Sequence, residues 1–181
     1  MNAAPAGGPR RPAVEAGFSL GSNLGDRLGY LRAARDRLAA APGARLAAQS
    51  PVYETEPVGV KPEFRHLKYL NAVVIVVSDL DAAAWLERLD AIERDLGRVR
   101  TDDRFAPRTA DIDLIYRGDS AIDGGGLVVP HPRWMQRRFV VQPLADVRPG
   151  LVLPGAGRSV REVLAALTDA PESVGLFARE W

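Results

Sequence analysis

Hydrophobic and polar positions alternate between two periods along this chain, and the places where the period switches predict its elements. Val14 to Leu20 is short and partly apolar and runs into Gly21-Ser22-Asn23-Leu24-Gly25-Asp26, which holds both turn formers and helix-capping residues. The pattern predicts strand, turn, helix. Leu28, Leu31 and Leu38 then recur at helical spacing until Pro42-Gly43 stops the pattern, and Arg45 to Tyr53 reads as a second strand. Tyr69 to Ser78 is rich in β-branched residues and nearly all apolar beyond Asn71, as expected of a strand covered on both faces. It therefore belongs in the interior of a sheet. Asp81 is placed to cap the next helix, with Leu80 and Trp85 as a hydrophobic staple and Leu89, Ile92 and Leu96 as its apolar stripe. Gly97 ends that helix.

Asp111-Ile112-Asp113-Leu114-Ile115 predicts a fourth strand, in which the two carboxylates share one face while Ile112 and Leu114 enter a core. Beyond Arg117 the chain breaks into turns, including Gly124-Gly125-Gly126. Pro130-His131-Pro132 follows, then a helical stretch from about Arg137 to Ala145 and a last helix over Val160 to Leu167. Strands and helices alternate without the strict repeat of a doubly wound sheet. The expected class is α+β, a ferredoxin-like α/β sandwich with a mainly antiparallel sheet and helices packed on it. Residues 1–13, rich in Ala, Pro and Gly with Arg10 and Arg11, are expected to be a disordered tail, leaving 14–181 as a single domain.

Two connections are long for a compact domain: Glu54 to Lys68, and the arginine-rich Gly97 to Thr109. The second is expected to be a lid that is mobile when empty. Lys and Arg total 24 against 23 Asp and Glu, so no global field draws the chain to nucleic acid or to an anionic membrane. No apolar run approaches the roughly 20 residues of a spanning helix. Without cysteine there is no thiolate nucleophile and no cysteine-bound zinc, which fits a cytoplasmic setting. Charge-based function must then be local. Nearly all the basic residues are arginines, the bidentate partners of phosphate.

The local concentration is clear. Arg98, Arg100, Arg104 and Arg108 crowd the segment just before Asp111 and Asp113. A carboxylate pair on one strand face suits magnesium, which takes one or two carboxylates and completes its shell with substrate phosphates. Solvated acids on an edge strand, or acids satisfied by the neighbouring arginines, have the same spacing. Gly21 to Gly25 lacks the Gly-x-x-x-x-Gly-Lys-Ser/Thr signature and reads better as a structural turn than as a phosphate loop. Tyr69 and Asn71 share a face, where an aromatic ring and an amide suit a flat heterocycle as well as they suit sheet packing. His131, between two prolines and followed by Arg133 and Arg137, is compatible with capping or with nucleotide contact.

Five motifs in order resemble the 6-hydroxymethyl-7,8-dihydropterin pyrophosphokinase family of folate synthesis. They are Gly21-Ser22-Asn23-Leu24-Gly25, Tyr53-x-Thr55-x-Pro57-x-Gly59, Tyr69-Leu70-Asn71-Ala72, Arg104-x-Ala106-Pro107-Arg108-x-x-Asp111-Ile112-Asp113-Leu114-Ile115, and Pro130-His131-Pro132-Arg133 with Arg137 and Phe139. The resemblance implies transfer of the β,γ-diphosphate of ATP to the pterin hydroxymethyl oxygen, releasing AMP, with two Mg2+ ions. By that resemblance Asp111 and Asp113 hold the metals, while Arg98 and Arg108 steady the transferred group. Thr55, Val58, Tyr69, Asn71 and Phe139 frame the pterin, and Phe105 closes over the ligands from its loop. Glu93, Arg100, Leu114, His131 and Arg137 fall where the family contacts ATP. Partners are then these two small molecules, with neither nucleic acid nor membrane, and a monomer is expected. Glu56, Asp90, the length of the loop through Lys61 and His66, and the apolar, glycine-rich 124–128 depart from the family's pattern. Another two-metal nucleotidyl transferase is the enzymatic alternative, and a small-ligand regulatory module the non-enzymatic one.

Overall fold

β4 (Tyr69–Ser78) forms the spine of the sheet, because its residues are apolar in both parities and are buried on both faces. The structure is a computed structural model and describes residues 12–57, 59–99, 103, 106–167 and 173–181. Around β4 run β1 (Val14–Ser22), β2 (Arg45–Gln49), β3 (Val52–Thr55), β5 (Asp111–Arg117) and β8 (Val174–Ala178). They form a six-stranded antiparallel sheet in the order β5-β1-β4-β3-β8, with β2 paired to the other half of β4. This is the expected α+β sandwich.

The two parities of β4 divide the core. Ala72, Val74 and Val76 pack with Phe18 and Leu20 of β1 under α1 (Arg27–Ala39) and α2 (Ala82–Asp95). Val73 and Ile75 join Val140, Val141 and Leu144 of α3 (Arg138–Val147), and Val160 and Val163 of α4 (Val160–Ala166), on the opposite face. α1 and α2 start where expected: Asp26 and Asp81 cap them, accepting from the Gly29 and Ala84 N–H groups at 3.0 and 2.9 Å. Trp85 meets Phe18 edge-on at 4.7 Å between ring centres, and its indole N–H donates to the Ser78 hydroxyl at 3.1 Å. Among the described residues no helix is long and apolar enough to cross a membrane.

Three elements differ from the pattern. The single strand expected over Arg45 to Tyr53 is two strands, β2 and β3, because Pro51 has no N–H to give to a ladder. Ser50 bridges the gap: its N–H donates to the Val73 carbonyl, and its hydroxyl accepts from the Val73 N–H, both at 2.9 Å. The segment beyond Arg117 does turn, but it also forms a hairpin of β6 (Ile122–Gly124) and β7 (Leu127–Val129). The edge strand β8 has only a short, Gly-broken pattern and no predicted counterpart; it pairs with β3 across Val52 to Thr55.

One irregularity bears on the site. Opposite β1, Gly17 pairs with Tyr116 and Phe18 with Leu114, so Ile115 is a bulge without a cross-strand partner on β1. A Cβ at residue 17 would lie 2.2 Å from the Tyr116 ring, so only glycine fits beneath that aromatic. The Ile115 carbonyl turns instead to accept the His131 N–H at 2.8 Å.

Candidate active site

Where α3 and α4 no longer cover the sheet, its cleft-facing parity becomes polar. Tyr69 and Asn71 continue the face of Val73, Ser19 and Gly21 lie on β1, and Asp111 and Asp113 continue the face of β5. These residues line a cleft of about 640 Å³. Gly21 pairs with Asn71 on one side and Asp111 on the other. Two strand spacings therefore separate the amide from the first carboxylate, about 10 Å at Cα. A Cβ on residue 21 would sit 3.4 Å from the Asn71 amide oxygen and 3.8 Å from Asp111 Cβ, so a side chain there would fill the floor between them.

The carboxylate half is held by cations from two segments, the α2–β5 connection and the stretch that leads into α3. Asp111 Oδ1 lies 2.6 Å from the Arg98 guanidinium and 3.2 Å from that of Arg108; Asp113 Oδ2 lies 3.2 Å from Arg137 and 3.8 Å from His131 Nε2. Both acids stay accessible, at 30% and 39% side-chain exposure, so arginines and a ligand can reach them together. Burial works against the Arg98 charge, but Asp111 and Glu93 outweigh it and hold its pKa above the ordinary arginine value. The His131 pKa is lowered, first by burial. Asp113 opposes this, while Arg137 and Arg133 add to it, and the imidazole is neutral near pH 7. The donor set is two hard carboxylates on one strand face, which suits magnesium completing its shell with phosphate and water.

The other half sets an oriented amide beside aromatic side chains, a chemistry that suits a flat polar ring. Asn71 is 4% exposed, and its amide N–H donates to the Thr55 hydroxyl at 2.8 Å, which fixes the amide plane. Tyr69 lines the wall beside it, its hydroxyl pKa raised mainly by burial. Phe139 enters from the first turn of α3, with the Arg137 guanidinium 5.5 Å from its ring centre.

Of the residues singled out from sequence, Thr55, Tyr69, Asn71, Arg98, Arg108, Asp111, Asp113, His131, Arg137 and Phe139 converge on this one cleft. Glu93 and Leu114 do not line it. Glu93 is buried behind β5, where it accepts the Ile112 N–H at 2.8 Å and binds the Arg98 guanidinium, while Leu114 faces the α1/α2 core. Val58, Arg100, Arg104 and Phe105 lie outside the described residues. Sequence reasoning missed Ser19 and Gln136, which also line the cleft and lack a spacing signal of their own, while Arg133, named there only as part of the Pro130 to Arg133 motif, lines it too. Of the turn expected over Gly21 to Gly25, Gly21 and Ser22 still belong to β1 and only the residues after them bend toward α1; the segment carries a further bond, in which the Arg108 N–H donates to the Asn23 side-chain oxygen at 2.8 Å. The two long connections meet at the cleft mouth, where Lys61 Nζ lies 2.9 Å from Asp103 Oδ2.

Known proteins resemble this chain in sequence and in fold. Residues 17–149 match the family HPPK, 7,8-dihydro-6-hydroxymethylpterin-pyrophosphokinase. The 2-amino-4-hydroxy-6-hydroxymethyldihydropteridine pyrophosphokinase of Pseudomonas aeruginosa is 40% identical over 148 residues, 82% of this chain and 88% of the relative. That of Methylorubrum extorquens is 40% identical over 150 residues, 83% and 91% of the two chains. A crystal structure of Plasmodium falciparum HPPK-DHPS with pteroate superposes with a TM-score of 0.68 at 14% identity, a likeness of fold. It covers 88% of this chain, which spans only 43% of that longer chain. By the family match and the bacterial relatives, the chain belongs to the 7,8-dihydro-6-hydroxymethylpterin-pyrophosphokinase family.

Proposed function

We propose that this protein transfers the β,γ-diphosphate of ATP to the hydroxymethyl oxygen of 6-hydroxymethyl-7,8-dihydropterin, giving the pterin diphosphate and AMP in folate biosynthesis. The observation that carries the reading is the single cleft in which an arginine-ringed carboxylate pair and an oriented Asn71–Thr55 amide flank Gly21. The pterin alcohol oxygen bonds to the β-phosphorus, the bond from that phosphorus to the α,β-bridging oxygen breaks, AMP leaves with the oxygen, and the alcohol proton passes to water. No side-chain base is assigned, because a loose transition state needs little proton removal beforehand.

Each half of the cleft has its own task. Asn71 and Thr55 set the heterocycle edge, with Tyr69 and Phe139 against its two faces; by the family's pattern Val58 would help frame the ring and Phe105 would close over the ligands. This aims the alcohol along the line of attack, and such positioning alone supplies several kcal/mol of barrier reduction. Arg98 and Arg108 answer charge on the transferred diphosphate. His131 and Arg137 stand on the ATP side, where the family's pattern would add Arg100, with Glu93 and Leu114 supporting the strand beneath. Asp111 and Asp113 would hold two Mg2+ ions, which when bound neutralise the polyphosphate and polarise its oxygens. The neutral His131 expected near pH 7 can hydrogen-bond a phosphate or ribose group without adding charge. With its nearly balanced overall charge, the protein is read as a cytoplasmic monomer that binds neither nucleic acid nor membrane.

Incubation with ATP, Mg2+ and the reduced hydroxymethylpterin tests the reading. AMP and pterin diphosphate formed in equal amounts are expected. Release of pyrophosphate with the nucleotide attached to an acceptor would identify a nucleotidyl transferase instead, and absence of Mg2+-dependent ATP binding a regulatory module.

A further inference from the structure

Asn23 does nothing in the reaction as described, yet its position is unusual. It is 3% exposed and lies outside the cleft lining. The β1/β5 ladder ends at the Gly21–Asp111 pair, and two bonds carry it further along the chain. The Asn23 N–H donates to the Arg108 carbonyl at 3.2 Å, and the Arg108 N–H donates to Asn23 Oδ1 at 2.8 Å. The side-chain oxygen thus stands in for the backbone carbonyl that a longer β1 would have offered. The Asn23 amide nitrogen, by contrast, is buried with no hydrogen-bond partner among the described residues. Oδ1 is the working atom.

What this bridge holds is the backbone of an arginine at the site. Arg108 places Nη1 3.2 Å from Asp111 Oδ1 and Nε 3.3 Å from the Ala106 carbonyl. An arginine on a free loop loses rotamer and backbone freedom each time it meets a phosphate, whereas one anchored to a strand has lost much of it on folding. We propose that Asn23 is a positioning residue: its side-chain oxygen extends the β1/β5 ladder to Arg108, so that the guanidinium is preset at the transferred diphosphate. This role rests on the diphosphate-transfer reading and acts wholly through Arg108.

Hydrogen exchange of the Arg108 amide in the ligand-free protein gives the first readout. Asn23→Ala is expected to speed it about tenfold or more, as loss of a buried hydrogen bond of 1.4 kcal/mol or greater would. Asn23→Asp, which keeps the acceptor and replaces the unpartnered amide nitrogen with a second carboxylate oxygen, is expected to retain the protection. Single-turnover diphosphate transfer gives the second: Asn23→Ala lowers the chemical rate about 10–100-fold, with KM for the pterin nearly unchanged. In an Arg108→Ala background the same change is expected to add at most about twofold, the non-additivity of two residues acting as one. Unaltered Arg108 exchange in Asn23→Ala, equal loss of protection in Asn23→Asp, or additive rate losses in the double variant would each overturn the proposal. Should Asn23→Ala not fold, Asn23→Ser, too short to reach the Arg108 N–H, takes its place. If the wild-type protein forms no AMP at all, the functional reading fails, and the exchange experiment still decides whether Asn23 holds Arg108.

Discussion

β1 and β5 carry acid–arginine contacts at both ends, and the two ends differ in stoichiometry. At the end away from the cleft, Glu15 and Arg148 meet one to one in a bidentate pair, with O···N distances of 3.0 and 2.6 Å, and the Tyr116 hydroxyl donates to the same carboxylate. At the cleft end, two carboxylates face Arg98, Arg108 and Arg137, with Arg133 on the wall beside them. A matched pair satisfies itself. At the cleft the partners are shared instead, Arg98 between Asp111 and Glu93 and Asp111 between Arg98 and Arg108, and both aspartates stay open to a common volume; that sharing, more than the presence of salt bridges, separates a structural contact from a site.

The sharpest way to break this comparison is to remove the acids at the cleft end. Asp111→Ala and Asp113→Ala are each expected to lower turnover by about a thousandfold or more, because on the proposed reading each removes a ligand of the metal that neutralises the polyphosphate. Thermal unfolding should stay near wild type, since both side chains are partly exposed. Steady-state assays beside melting curves check this, and near-normal turnover in either variant contradicts the metal assignment.

Removing the shared cations should come next in size. Arg98→Ala and Arg108→Ala are expected to slow the chemical step by about 100-fold or more while ground-state affinity for ATP changes much less, as for groups that act mainly on transition-state charge. Rapid-quench kinetics paired with equilibrium binding separates the two effects. A loss confined to affinity, with bound substrate reacting at the normal rate, removes the catalytic role.

On the heterocycle side, Asn71→Ala should weaken pterin binding by about 1–3 kcal/mol and leave ATP binding nearly intact, because it leaves buried edge groups of the ligand unpaired. Calorimetric titration of pterin in the presence of a non-hydrolysable ATP analogue measures it. Unchanged pterin affinity would move the pocket elsewhere.

The smallest effect is expected at the matched pair. The Arg148 hydrogen bonds hold the Glu15 carboxyl pKa below its ordinary value, against the opposing effect of burial. A carboxylate with a lowered folded-state pKa contributes its stability above the unfolded-state pKa and loses it as pH falls through the folded-state one. Glu15→Gln should therefore cost at most about 1 kcal/mol near pH 7, given its solvent access. The difference from wild type should shrink below pH 4.5 and vanish in stronger acid, with turnover unchanged at neutral pH. Urea unfolding at several pH values tests the trend, and a difference that grows on acidification contradicts it.

Much of this molecule was legible in order along the chain. The two-sided apolar run of β4, the caps at Asp26 and Asp81 and the same-face spacing of Asp111 and Asp113 are local properties of backbone period and side-chain chemistry, so the sequence determined them by itself. So did the chemical classes at the cleft: guanidinium, carboxylate and an amide beside aromatics. Tertiary structure decided what no spacing encodes. Pro51 divided one apparent strand into two, and the weakly patterned β8 became a strand through the free edge of β3. The bulge at Ile115 turned its carbonyl toward His131. Glu93, on the inner face of α2, met the Ile112 N–H and Arg98 behind the cleft instead of lining it. Asn23, 85 positions before Arg108, became the acceptor for its backbone. In each case the outcome depends on which backbone groups a neighbouring element leaves unpaired, and that is known only once distant segments have packed together.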